Sequence, residues 1–222
     1  MNKATLLFTL IFVMGTFINV NAQDATKPVP KNRTLSNGFS IKITLGFPSA
    51  SFGTDYDVES SIQYSMLYGL QLGNQWYFSP SEKLGFGLMV NWIDFTGASK
   101  SDEDWERATY DISVAEIGPI ATYAFTKQIA LDAYYNLRPT LILNKAEGYY
   151  YWEDEQRYYS DTWQGAALTH AFGANFRWRA LSVGMEYVFG TVEDDQYFMF
   201  GDGNGYGEMK ANSFRFVIGA KF

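Results

Sequence analysis

The chain has 222 residues and no cysteine, which excludes a disulfide framework, a cysteine zinc site, thiol catalysis and a lipoprotein cysteine. Seventeen basic against 24 acidic residues give a formal charge of −7, an acidity that argues against nucleic acid as a partner. Aromatics make up 18% of the residues, with 20 glycines beside them, a profile that suits strands, tight turns and interfacial aromatic belts better than a helical domain.

Met1-Asn-Lys3 opens the chain, an apolar run from Ala4 to Ile18 follows, and Val20-Asn21-Ala22 precedes Gln23. This is the pattern of a cleaved secretory signal over residues 1–22, and the run is shorter than the roughly 20 apolar residues a spanning helix needs. Residues 23–37, with Pro28 and Pro30, read as a short polar periplasmic leader without core-building residues. No later apolar run is long enough for a transmembrane helix, so only a barrel could take this chain across a membrane.

From residue 38 onward, alternation of period two predicts eight strands. Gly38 to Phe47 sets Phe39, Ile41, Ile43, Leu45 and Phe47 against Ser40, Lys42, Thr44 and Gly46. Ile62 to Phe78 alternates with Leu67 as its exception and stops at Ser79-Pro80-Ser81, a turn signal. Leu84 to Trp92 alternates large apolar residues with Gly85, Gly87, Met89 and Asn91, the glycines leaving room inside a narrow barrel. Tyr110 to Phe125 loses phase: Tyr110, Ile112 and Val114 share one parity, and Ile117, Pro119, Ala121, Tyr123 and Phe125 the other, so a bulge is expected near Glu116 to Pro119. Ile129 to Leu143, Gly165 to Trp178 and Leu181 to Phe189 follow. Asn212 to Phe222 closes the set with Phe214, Phe216, Ile218, Ala220 and Phe222 on one face.

Short connections (Ser79–Lys83, Thr126–Gln128, Arg179–Ala180) alternate with long acidic ones (Pro48–Ser61, Asp94–Thr109, Lys145–Gln164, Gly190–Asn212). That asymmetry is expected of periplasmic turns and outer loops, and residues 38–222 read as one all-β, eight-stranded antiparallel up-and-down transmembrane β-barrel. The signal with Ala22-Gln23, the run Ala115 to Phe125 and the closing Phe214 to Phe222 together resemble the small outer-membrane β-barrel family of OmpX and OmpA type, also called the porin family, of the Gram-negative envelope. The resemblance implies outer-membrane lipids and lipopolysaccharide as surroundings, and reading of Phe222, Phe216 and Phe214 by the barrel-assembly machinery. It implies no catalytic motif and no cofactor.

Lys42, Asp132, Arg138, Arg177, Glu186 and Arg215 fall on inward faces, and an eight-stranded barrel is narrow enough to fill with side chains. A Lys42–Glu186–Arg215 cluster is expected, with Asp132 near Arg177, as a core of paired charges; a charge-lined conduit of narrow porin type is the alternative. His170 is the only histidine. It shares a face with Leu168 and Phe172, which places it toward lipid, and a lipid-modifying enzyme would have to rest on it alone. The third loop, with Tyr149, Tyr150, Tyr151, Trp152, Tyr158 and Tyr159 among acids, reads either as strand extensions forming an aromatic girdle or as a contact surface for an extracellular partner. Asp202 to Glu208, and the acids from Asp102 to Glu106, resemble parts of a calcium loop but lack the complete spacing, so no metal site is expected. Two non-enzymatic roles follow, structural and surface-interaction; a soluble lipocalin-like carrier would instead need the apolar faces turned inward.

Overall fold

The structure is a computed structural model that describes residues 33–54, 60–78, 81–101, 105–152, 155–193 and 207–222. The expected signal and most of the leader lie outside them. A 3-10 turn, Arg33–Leu35, precedes ten strands: β1 Gly38–Thr54, β2 Ser60–Gln63, β3 Leu67–Tyr77, β4 Leu84–Ser101, β5 Trp105–Ala124, β6 Ile129–Trp152, β7 Glu155–Trp178, β8 Leu181–Phe189, β9 Thr191–Glu193 and β10 Gly207–Lys221. The short β2 and β9 pair onto the upper parts of β1 and β10, leaving β1, β3 to β8 and β10 as eight staves, each antiparallel to the next. β10 returns to β1 in continuous register from Ser40↔Lys221 to Thr54↔Gly207, so the barrel is closed. Phe39 and Phe222 exchange backbone hydrogen bonds of 3.1 and 2.8 Å at the foot of this seam.

The register fixes how wide the barrel is. Phe39 lies opposite Asn74, Asn74 opposite Val90, Val90 opposite Ile117, Ile117 opposite Leu137, Leu137 opposite His170 and His170 opposite Phe189. One rung past Val188↔Ser213 comes Asn212, which faces Ser49, so the circuit returns to β1 ten residues on (49 − 39 = 10). Eight strands with that stagger are tilted and enclose only enough space for side chains.

The three short connections gather at one end, here the turn end. At the first, Ser81 Oγ accepts the Leu84 amide at 2.9 Å. At the second, Thr126 Oγ1 accepts the amides of Gln128 and Ile129 at 3.1 and 3.0 Å. At the third, Trp178 faces Leu181 across a two-residue turn in which Arg179 takes φ 57°. The opposite end differs from expectation. Asp94–Thr109 and Lys145–Gln164 are strand almost throughout, because β4 and β5 pair out to Ser101↔Glu106 and β6 and β7 out to Trp152↔Glu155. What reads as polar loop is hairpin, polar because both faces of a ribbon that runs past the closed barrel meet water.

The faces are assigned by burial. Phe216, Leu131 and Val183 are 44%, 43% and 54% exposed, whereas Lys42, Asp132, Arg138 and Arg215 are buried. Apolar residues therefore face outward and polar residues inward, which overturns the lipocalin-like carrier: its cargo would find charged groups at the centre. Leu67, the exception in its strand, is turned inward and buried. The bulge in β5 lies between Ser113 and Ile117, slightly earlier than expected, with Ala115 at φ 54°. It carries the outward-facing parity from Ile112 to Ile117.

The leader also contributes to the core, against expectation, at its last residues. Leu35 is 1% exposed and packs with Tyr77, Met89, Ile120, Ala124 and Tyr134, the apolar cluster that fills the turn end of the lumen. Gly85 makes the space: a Cβ there would come within 2.9 Å of Leu35 Cδ2. Asn37 Oδ1 accepts the Tyr77 amide at 2.8 Å, fixing the segment where it enters β1.

Candidate functional site

Above that apolar cluster lies a connected set of buried charges. Arg138 of β6 donates from Nε to Glu116 Oε1 at 2.6 Å and from Nη2 to Asp94 Oδ2 at 2.7 Å. Arg215 of β10 donates from Nη1 to the same Asp94 oxygen at 2.8 Å and lies 3.5 Å from both Glu186 and Asp111. Neutral donors complete the carboxylates. Gln71 Nε2 reaches Asp94 and Glu186 at 3.2 Å each, Asn91 Nδ2 reaches Glu116 at 2.7 Å, and Tyr134 Oη reaches Glu186 at 3.1 Å. Groups from β3, β4, β5, β6, β8 and β10 thus meet across the lumen. In so dry a place each ion is tolerable only because it is paired and hydrogen-bonded.

A second, smaller set lies nearer the turn end. Arg177 Nε is 2.7 Å from Asp132 Oδ2, and its Nη2 donates to Asp132 Oδ1, Tyr77 Oη and the Thr34 carbonyl at 2.9, 3.2 and 2.8 Å. Thr122 Oγ1 donates to Asp132 at 2.6 Å. The expected Asp132–Arg177 neighbourhood is therefore present, and it ties down the 3-10 turn.

Of the expected Lys42–Glu186–Arg215 cluster, only the Glu186–Arg215 contact forms. Lys42 pairs in register with Gly219, and it is Gly46, four residues further along β1, that faces Arg215. Four residues are about 13 Å of strand, too far for a side chain to reach across. Lys42 Nζ instead sits 5.1 Å from the centre of the Tyr134 ring and 3.9 Å from Met89 Sδ. Strand adjacency was readable from the sequence; the stagger between strands was not.

Asp94, Asp111 and Glu116 complete the network and were not singled out in the sequence. Asp94 lies beyond the expected end of its strand, past a register shift between Asn91 and Ile93 that reverses which parity faces in. Asp111 and Glu116 flank the β5 bulge. One signal could have found all three: an acid inside an alternating apolar segment of a membrane barrel has only the lumen to face.

His170 lies on the outward face, with Tyr135 Oη 2.5 Å from its Nδ1 and its ring stacked on Phe189 at 5.2 Å. No serine joins it there in any described hydrogen bond. On the protruding hairpin, Tyr149 and Tyr158 are exposed, directly opposite and in ring contact at 5.5 Å. Tyr150, Tyr151 and Trp152 pair in register with Arg157, Gln156 and Glu155, and Tyr159 with Gly148, so the girdle residues extend two strands. Lys145 and Glu147 form an ion pair on the same ribbon. Their mutual hydrogen bond, the largest influence on both, holds the Glu147 carboxyl below its usual range and the Lys145 ammonium above its own. The calcium-like stretch from Asp202 lies outside the described residues up to Tyr206, as do Asp102 to Asp104. Among the described residues no cluster of acids, histidines or cysteines could hold a metal.

No protein-family model matches the chain, and a search of curated proteins finds no relative. Solved structures do match. The outer membrane protease OmpT from Escherichia coli aligns with a TM-score of 0.51 at 11% identity, over 86% of this chain and 99% of that one. Ail, the attachment invasion locus protein of Yersinia pestis, aligns at 0.43 and 14%, over 83% and 99%, and Neisserial surface protein A at 0.40 and 17%, over 83% and 97%. At such identities the likeness to OmpT speaks for the fold alone, and the fold is that of an outer-membrane β-barrel.

Proposed function

We propose that this chain is an outer-membrane protein with a structural or surface-interaction role, neither a channel nor an enzyme. The observation that carries the reading is the inversion of faces around a filled lumen: an apolar girdle outside, and inside it paired ions above a plug of Leu35, Met89, Ile120 and Tyr134. Such a wall has no use in water, and such an interior leaves no path for a solute. In this reading the turn end faces the periplasm, the hairpins stand in the medium among lipopolysaccharide, and the Tyr149–Tyr158 ribbon is the contact element for an extracellular partner. Phe222, 72% exposed at the foot of the seam, with Phe214 and Phe216 above it on the outer face, is what the assembly machinery would read.

The reading is tested by fractionation and by conductance. The protein is expected in the envelope, released by detergent and not by osmotic shock, and silent in planar bilayers. Reproducible unit conductance steps would overturn the closed lumen, and appearance in the soluble periplasm would overturn the membrane assignment. His170→Ala is expected to leave lipid A composition unchanged at normal expression. A change there would reopen the enzyme reading.

A further inference from the structure

The lumen does not end flush with the charge network on the hairpin side. A cavity of about 30 Å³ lies there, with Arg138 and Asp111 among its walls and buried Leu67, Ile142 and Val188 along an apolar side. Its rim residues Ser49, Tyr64 and Asn212 are exposed or half-buried, whereas the Arg138 side chain is 1% exposed. Two unequal ends of polar chemistry therefore share one small space.

At one end, Arg138 has given Nε to Glu116 and Nη2 to Asp94, and its Nη1 has no acceptor among the described residues although it is buried. A buried guanidinium nitrogen without a partner is costly, and a carboxylate is the group whose geometry suits it best. At the other end, the Asp111 carboxylate is 18% exposed, and the guanidinium of Arg215, 3.5 Å away, donates its shorter bond, 2.8 Å, to Asp94.

The charge balance decides between ligand classes. Asp94, Asp111, Glu116 and Glu186 face the guanidiniums of Arg138 and Arg215, with half-buried Arg107 acting from the side of Tyr64, which leaves an excess of one negative charge (4 − 3 = 1), and Lys42 approaches from below, over the Tyr134 ring. A bare anion would meet net repulsion, and a bare cation would leave the Arg138 nitrogen unmet. We propose that this cavity binds a small zwitterion of amino-acid type, its carboxylate on Arg138 Nη1 and its ammonium on Asp111, with any short aliphatic substituent against Leu67, Ile142 and Val188. A cavity of this volume has room for about two waters, which limits the occupant to a molecule of glycine or alanine size. Because the plug around Leu35 closes the other end, the solute enters and leaves from the hairpin side and is held without being transported.

Equilibrium dialysis of the purified full-length mature protein in detergent against labelled glycine, acetate, methylamine and glycerol tests this. Glycine is expected to saturate at one per chain, with acetate and methylamine each weaker by roughly tenfold or more, since each lacks one charge-assisted hydrogen bond. Asp111→Asn is expected to weaken glycine by a similar factor and to leave acetate unchanged or slightly tighter. The comparison of the four probes on the unmodified protein needs no variant to fold. Acetate or methylamine binding as tightly as glycine would replace the zwitterion site by a simple ion site, glycerol binding equally well would make it a hydroxyl site, and absence of saturable glycine binding would remove it.

Discussion

Arg138 holds two carboxylates, Glu116 through Nε and Asp94 through Nη2, the second shared with Arg215. Its removal would leave Glu116 with only the Asn91 amide and Asp94 with Arg215 and Gln71, in an interior where an unpaired charge is costly. Arg138→Met is expected to lower the stability of the barrel in lipid vesicles by about 3–5 kcal/mol, measured by the shift in urea midpoint. Adding Asp94→Asn and Glu116→Gln should recover most of the loss, because the damage comes from the stranded carboxylates and not from the missing cation. A triple variant as unstable as Arg138→Met alone would show that packing, not charge, is what the arginine supplies. Leu35 and Gly85 form the second coupled pair. Leu35→Ala is expected to cost about 2–3 kcal/mol through the cavity it leaves in the plug, and Gly85→Ala about 1–3 through overpacking against Leu35 Cδ2 and Tyr77. Combined, they should cost clearly less than the sum, since the added methyl fills part of the space that Leu35 vacates. Strict additivity in the same urea assay would mean that the two do not meet.

At the scale of the strand, two bulges decide which side chains reach the lumen. In β5 the shift is written in the sequence, because the apolar residues change parity between Val114 and Ile117. The structure puts Ala115 at the point of change, in a left-handed conformation that an L-residue with a Cβ resists. Ala115→Gly should relieve that strain and leave the urea midpoint unchanged or raise it by up to about 1 kcal/mol. The same substitution at Ala121, further along β5 in regular strand, should lower it by a similar amount. Equal losses at both positions would refute the strain argument. In β4 the corresponding shift escaped the sequence because Trp92 and Ile93 are both large and apolar, so either parity looks acceptable until Asp94 is seen to be buried. The architecture was legible because period-two alternation repeats over eight segments, and one misread residue does not alter it. The site was legible only in its inward residues. Which of them touch depends on the ten-residue stagger around the barrel, and that sum over eight registers has no local signature.

Across the whole molecule, charge differs between the short and the long connections. The described turns carry Lys83, Lys127 and Arg179 against Glu82. In the sequence, acids gather in the long connections: Asp55, Asp57 and Glu59 after β1, Asp102 to Asp104 between β4 and β5, Glu153 and Asp154 between β6 and β7, and Asp194 and Asp195 before β10. Repulsion between charges in water acts through a screened field that fades within roughly 10 Å at 0.1 M salt. The lumen ions, by contrast, are buried at contact distance, where added salt does not reach them. Salt should therefore separate the two populations. Raising sodium chloride from about 10 mM to about 0.5 M is expected to stabilise the folded barrel in uncharged lipid by relaxing the hairpin repulsion, with the Arg138 and Arg215 pairs unaffected. The increment should shrink when Asp102, Glu103 and Asp104 are changed together to Asn, Gln and Asn. It should persist undiminished in the Arg138→Met, Asp94→Asn, Glu116→Gln variant. A urea midpoint that falls with salt would mean that exposed ion pairs such as Lys145–Glu147 outweigh the excess of acids, and that the hairpins are held by attraction within each ribbon and not strained by repulsion between them.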